Sequence, residues 1–236
     1  MKFCESGKLK ALTFSYDDGI TQDIRLIELL NKYGIKATFN LNSDLLGKKG
    51  MLIRPSGMRL SHYKIHPEDV KFIYEGHEIA AHTLTHPRLP DIEDDAEVLR
   101  QVEKDRLQLC ELAGYEVVGL AYPCGGKNND ERVADIIKKQ TGIKYARTIT
   151  SNGSFDVQSD LYRFDPTDHH MNFDKLTELA EKFIEMKPDR PQIFYIWGHS
   201  YELDAGTDCW GRLEEFFKLI SGKDDIFYGT NKDILL

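Results

Sequence analysis

Four polar clusters in the chain could do chemistry: the adjacent carboxylates Asp17-Asp18, the pair His82 and His86, the turn Pro123-Cys124-Gly125-Gly126, and His199. Adjacent carboxylates disfavour each other's ionisation, and a cation beside them relieves that cost. Aspartate also commonly opens a helix, so capping and site readings weigh equally for Asp17 and Asp18 taken alone. His82 and His86 lie in Ala-His-Thr-Leu-Thr-His-Pro. On a helix, residues four apart share a face and could reach one metal. Pro87 opposes a continuous helix there, so a turn is the expected local shape. A lone histidine is more often a hydrogen-bonded core or surface group than a ligand, and a pair at this spacing is better evidence. Two histidines plus a carboxylate with open positions form the catalytic pattern for zinc or another divalent ion. His199 follows the apolar run Ile193 to Trp197, with Gly198 allowing close backbone approach. Its plain reading is a histidine at a barrel mouth. Beside the other clusters, a general acid or base is the better one, because imidazole titrates near neutral pH. Asp17 and His199 could then divide base and acid roles across a scissile bond.

The rest of the composition bounds the problem. The chain has 236 residues, 41% hydrophobic, with 31 basic against 39 acidic side chains and a net charge of -8. That is too polar for a membrane protein and too apolar for a disordered one. The acidic balance argues against non-specific binding to nucleic acid or anionic lipid, so neither is an expected partner. The first residues lack the apolar stretch of a secretory signal, and the four cysteines (Cys4, Cys110, Cys124, Cys209) form no CxxC pair. Free thiols and a cytoplasmic protein are expected. The other histidines, His62, His66, His77, His169 and His170, are expected at surface or structural positions, with His169-His170 held in reserve as substrate contacts. Trp210 and the many Tyr and Phe residues read as core and rim. The oligomeric state is not readable.

Strands and helices must alternate to position these clusters. Leu9 to Tyr16 reads as a strand ending at the two aspartates. A helix capped by Thr21 follows, with Ile24, Ile27 and Leu30 on its apolar side and Gly34 as its stop. Ile35–Leu41 reads as a strand, and 42–65, with Gly47, Gly50, Pro55 and Gly57, as a loop insertion on the rim. Pro67 opens a helix closed by Gly76, and strand Glu78–Ala81 leads into His82. Further strands are expected over 115–122, 143–150 and 192–197, with helices over 95–113, 130–140 and 173–186, and the runs 213–220 and 226–228 finish the chain. Strands separated by helices imply parallel crossovers, and six or seven such units favour a barrel. Residues 1–236 then form a single domain. In such folds ligands bind at the carboxyl ends of the strands, where all four clusters fall.

These clusters resemble the polysaccharide deacetylase domain (NodB homology, carbohydrate esterase family 4). Thr13-Phe14-Ser15-Tyr16-Asp17-Asp18-Gly19 is similar to that family's TFDDG signature, and Gly76 to His86 to its GHEIxxHTxxH signature. The resemblance spans roughly residues 10 to 200. It implies an α/β fold, a distorted (β/α)7 barrel of the NodB type, and a divalent metal bound by Asp18, His82 and His86. Zinc is the first expectation, with cobalt, nickel and manganese as alternatives. It further implies Asp17 as catalytic base, His199 of Trp197-Gly198-His199 as general acid, and the Cys124 backbone N–H as oxyanion donor.

Two departures stand out. Ala121 occupies the place of the family's third-motif arginine, which braces the base, and no DxxDW motif supplies the companion aspartate. By position Arg163 or Lys127 could replace the arginine, and Glu202 or Asp204 could orient His199. The implied activity is hydrolysis of an acyl group, N-acetyl first, from an amino sugar or glycan. The alternatives are an amidohydrolase acting on a small amide or cyclic ureide, and a glycan-binding protein with impaired catalysis, which Ala121 favours.

Overall fold

The structure, a computed structural model, describes residues 2–236. A short helix α1 (Lys2–Glu5) precedes strand β1 (Lys10–Asp17), helix α2 (Asp23–Lys32) and strand β2 (Ala37–Leu41). A hairpin of β3 (Met51–Ile53) and β4 (Arg59–Ser61) follows, then α3 (Val70–Ile73) and β5 (Glu78–Ala81). Helices α4 (Asp95–Leu99) and α5 (Asp105–Ala113) are joined by a π-helical segment over Arg100–Lys104. The remainder runs β6 (Gly119–Ala121), α6 (Glu131–Gln140), β7 (Tyr145–Arg147), β8 (Asp168–His169) and α7 (Phe173–Glu185). It ends with β9 (Gln192–Gly198), α8 (Cys209–Ile220), β10 (Ile226–Tyr228) and α9 (Asn231–Leu235). Among the described residues, no helix is long and apolar enough to cross a membrane.

The main sheet is parallel throughout, in the order β7-β6-β5-β2-β1-β9-β8, with β10 beside the first half of β1. β1 is buried along its whole length and pairs with β9 from Lys10 to Tyr16. The two ends of the path meet through the stretch before β8. Phe164 N–H donates to Ala146 of β7 at 2.9 Å, and Thr167 N–H donates to Tyr195 of β9 at 2.7 Å. This closes the distorted (β/α)7 barrel, as expected. Aromatic packing seats α8 on the sheet: Phe14 meets Phe217 edge-on at 5.3 Å and Phe216 at 6.3 Å, and Phe194 meets Phe216 at 6.2 Å.

Several expectations shift. Ile24 is 43% exposed, while Asp23, Leu26, Ile27 and Leu30 form the buried face of α2. The phase is set by Asp23, whose carboxylate accepts from Ser200, from Tyr74 and from the Ile20 backbone. Segment 42–65 is no plain loop. Leu52 pairs opposite Leu60 in the β3–β4 hairpin, and Gly57 turns it in the left-handed region. Pro67 opens a 3₁₀ turn before the short α3. The long helix expected over 95–113 forms, capped by the Asp94 side chain and stopped by left-handed Gly114, but widens to π geometry midway. That widening turns Gln101 and Asp105 towards the end of β5. All four cysteines are free thiols.

Phe194 is fully buried among these rings, so Phe194→Ala should cost about 3–5 kcal/mol. The expected readout is a lower denaturant midpoint with native-like circular dichroism, and an unchanged midpoint would count against this account of how α8 is held.

Candidate active site

β1 ends at Asp17, and the chain turns at once through left-handed Asp18 (φ 84°). A non-glycine residue rarely adopts that conformation, and here it aims the two neighbouring carboxylates in different directions. Asp17 is received by a cation from across the barrel. Arg147 of β7 places Nη2 at 2.5 and 2.6 Å from its two oxygens, and Asn40 Nδ2 donates at 2.8 Å. Arg147 is itself wholly buried, donating to Ser15 Oγ and to the Thr148 carbonyl, with its guanidinium 4.7 Å from the Trp197 ring centroid. Burial alone would raise the Asp17 pKa, but Arg147, His82 and His199 together hold it below the usual carboxylate range.

His82 follows β5, and its backbone N–H donates to Leu41 O and to Asp105. Its Nδ1 lies 2.8 Å from the Ala121 carbonyl. Only a protonated Nδ1 can bond a carbonyl, so the Nε2 lone pair faces the acids. His86 is brought back by a turn in which Thr83 and His86 both have positive φ, the non-helical shape that Pro87 implied. Its Nε2 is 3.8 Å from Asp18 Oδ1. One donor atom each from Asp18, His82 and His86 lies within 4.8 Å of the others. Burial lowers the pKa of both imidazoles, His82 to about 4, which leaves them neutral and able to ligate. Two neutral imidazoles and an ionised carboxylate with open positions fit a catalytic divalent ion.

His199, at the end of β9, completes the ring of groups, with Nε2 4.0 Å from Asp17 Oδ2. The Cys124 turn lies beside His86. Asn128 Nδ2 bonds the Tyr122 and Cys124 carbonyls, Cys124 has φ 70°, and no described residue accepts from its backbone N–H. Its Sγ is 3.4 Å from the His86 carbonyl. Asp17, Asp18, His82, His86, Cys124 and His199 line one cavity of about 430 Å³, whose other walls include Leu45, Leu52, Tyr122, Ile149, Trp197 and Tyr201.

Residues 5–146 match the family model described as polysaccharide deacetylase. The chain belongs to that family. The family is one of hydrolases acting on C–N bonds of acetylated sugars, with pseudoenzymes among its structural neighbours. Comparison with curated proteins finds no match. Among solved structures, the deacetylase PplD of Streptococcus pyogenes, in complex with acetate, is 19% identical with a TM-score of 0.52, over 64% of this chain and 61% of that one. This chain thus spans about three fifths of the length of PplD. The peptidoglycan deacetylase PdaC of Bacillus subtilis is 17% identical (TM-score 0.53; 96% and 90% covered). BA3943 of Bacillus anthracis, described as a CE4 family pseudoenzyme, is 15% identical (TM-score 0.54; 96% and 66% covered). At these identities the likeness is one of fold.

Within this family member the brace positions are refilled from unexpected places. Arg163 is not the substitute arginine, since it pairs with Asp160 at 3.0 Å on the surface, and Lys127 is exposed on its turn. Arg147, on the next strand, is the arginine that pairs with Asp17. The available signal was an arginine at an inward-facing position of the β-prone run 143–150, which a barrel interior tolerates only opposite an anion. Of the candidates for orienting His199, Asp204 instead accepts from Trp210 and Gln22. Glu202 does the work. Its Oε2 accepts the His199 backbone N–H at 3.0 Å and lies 3.3 Å from His199 Nδ1.

Three of the histidines expected at surface or structural positions hold carboxylates of the site region. His169 and His170 meet the same Glu202 oxygen at 3.1 and 3.0 Å, and neither lines the cavity. Gly198 makes room for His170, because a Cβ there would lie 2.0 Å from His170 Cδ2. His62 and Lys64, both from the 42–65 segment, sit on Asp18: His62 Nε2 is 3.0 Å from Oδ2, and Lys64 Nζ donates to the Asp18 carbonyl at 2.7 Å and to Oδ1 at 3.2 Å. No spacing rule connects these residues to the aspartate. His66 is exposed, and His77 bonds Ala37 N–H and Asn31, as structural histidines should.

Burial opposes charge on His199, but Glu202, then Asp18 and Asp17, outweigh it and push its pKa up to about 9 from 6.5. A group raised in this way contributes stability that is complete below pH 6.5 and fades as pH rises towards 9. The metal-free protein should therefore lose melting temperature over that window, and Glu202→Gln should lose less. Parallel calorimetric slopes in the two proteins would refute the coupling.

Proposed function

We propose that the whole chain, residues 1–236, acts as one metal-dependent hydrolase domain that removes an acyl group, N-acetyl foremost, from an amino sugar or glycan. One observation carries the reading: Asp17 and His199 face each other at 4.0 Å beside the Asp18, His82 and His86 donors in a single cavity. Asp18, His82 and His86 would hold the ion, with zinc proposed first. When bound, such an ion supplies Lewis acidity that polarises the acyl oxygen and makes water more acidic.

The chain's own groups account for the proton movements. Asp17, kept ionised and aimed by Arg147 and Asn40, accepts the proton of the attacking water. The unpartnered Cys124 N–H steadies the oxygen of the tetrahedral centre, a contribution worth on the order of 10²–10³ in rate for one such donor. His199, held charged against Glu202, donates a proton to the leaving amine as the C–N bond breaks, giving a free carboxylic acid and an amine. The aromatic walls, Trp197, Tyr122 and Tyr201, suit the apolar faces of a sugar ring. Four free thiols support a reducing compartment such as the cytoplasm.

A glycan-binding protein without turnover drew its support from Ala121, and Arg147 removes most of it. The pairing of a base with a protonated acid also has no use in a pure binder. His82→Ala should abolish zinc binding and reduce acetate release from N-acetylated chito-oligosaccharides at least 10³-fold, measured with and without added zinc or cobalt. Full activity in metal-stripped His82→Ala would sink the proposal. Glycan binding without acetate release by the wild type would favour the binder.

A further inference from the structure

Lys64 is no ordinary surface lysine. Its side chain is buried, and its ammonium meets three oxygens: the Asp18 carbonyl at 2.7 Å, Asp18 Oδ1 at 3.2 Å and Asn42 Oδ1 at 3.4 Å. The backbone around it is stitched to the turn that follows Asp18. Ile65 N–H donates to the Gly19 carbonyl at 2.9 Å, Thr21 N–H donates to the Tyr63 carbonyl at 2.8 Å, and Lys64 bridges Ile20 in antiparallel fashion. The chain therefore delivers a fixed positive charge to one particular carboxylate oxygen. That oxygen is also the one 3.8 Å from His86 Nε2, on the ligand side of Asp18. The other oxygen is occupied independently by His62.

We propose that Lys64 is a positioning residue that sets, and weakens, the affinity of the Asp18–His82–His86 site for divalent cations. The proposal rests on the ligand reading given above. A divalent cation and an ammonium that share Asp18 Oδ1 repel each other through a buried, weakly screened space, and both draw on the same negative charge. Removing a hydrogen-bond partner from a ligating carboxylate often loosens a metal site. Here His62 continues to hold Asp18 by its second oxygen, so the loss of repulsion should dominate. A weakened site would exchange its ion readily and depend on the ion supplied, a property that the ligand trio alone does not imply.

The test is metal affinity, read without turnover. Zinc and cobalt dissociation constants are measured by competition with a chromophoric chelator for the wild type, Lys64→Met and Lys64→Arg, with folding checked by circular dichroism. Lys64→Met is expected to bind at least ten-fold more tightly, while Lys64→Arg, which keeps the charge, stays within about three-fold of the wild type. If Lys64→Met fails to fold, Lys64→Gln is read in its place with the same expectation. Equal or weaker binding by the neutral variant overturns the proposal while leaving the ligand trio standing. Binding by none of the proteins overturns both, and binding by the neutral variant alone supports it.

Discussion

The ion pair between Asp17 and Arg147 spans the barrel interior, and the rest of the site is arranged around it. Both partners are buried, so each would be intolerable without the other. The pair joins the end of β1 to β7, on the far side of the sheet path, and its secondary contacts recruit Ser15, Asn40, Thr148 and the Trp197 face. A base on a strand end would otherwise rotate or take up a proton on burial. Here its ionisation and direction are both set by one guanidinium.

A second carboxylate organises the opposite wall. Glu202 draws His169, His170 and His199 to one oxygen, and this concentration of donors holds it ionised in a nearly dry place. The charge stored there is felt by His199, which stays protonated where burial alone would neutralise it. Asp17 and His199 are thus biased to opposite charge states by different networks, which supports the proposed division of base and acid roles. Between them, His82 and His86 are kept neutral by the same burial. Asp105, presented by the π-helical turn, holds the backbone of His82 and Ser43, so an irregularity in a surface helix reaches the strand end that carries His82.

Segment 42–65 adds a layer to this frame. Leu52 and Leu60 give the hairpin a small apolar contact of its own, while His62 and Lys64 are carried past the tip and back to Asp18. A loop drawn only as a rim would leave Asp18 facing solvent. Instead the insertion completes the wall of the cavity and supplies charge at its most sensitive oxygen.

Much of this was legible in the chain itself. Short continuous apolar runs and amphipathic runs of period 3.6 located the strands and helices, and TFSYDDG and HTLTH located the acids and imidazoles, because local spacing dictates both. The free cysteines and the turn at His86 were legible for the same reason. What fell outside was everything made by contacts distant in sequence. Arg147 lies 130 residues from Asp17, His62 and Lys64 lie more than 40 from Asp18, and His170 lies 32 from Glu202. A motif records which groups a turn brings together. Which cation closes on which carboxylate is decided only when the barrel closes, since desolvation makes each buried charge find a partner wherever the fold has put one.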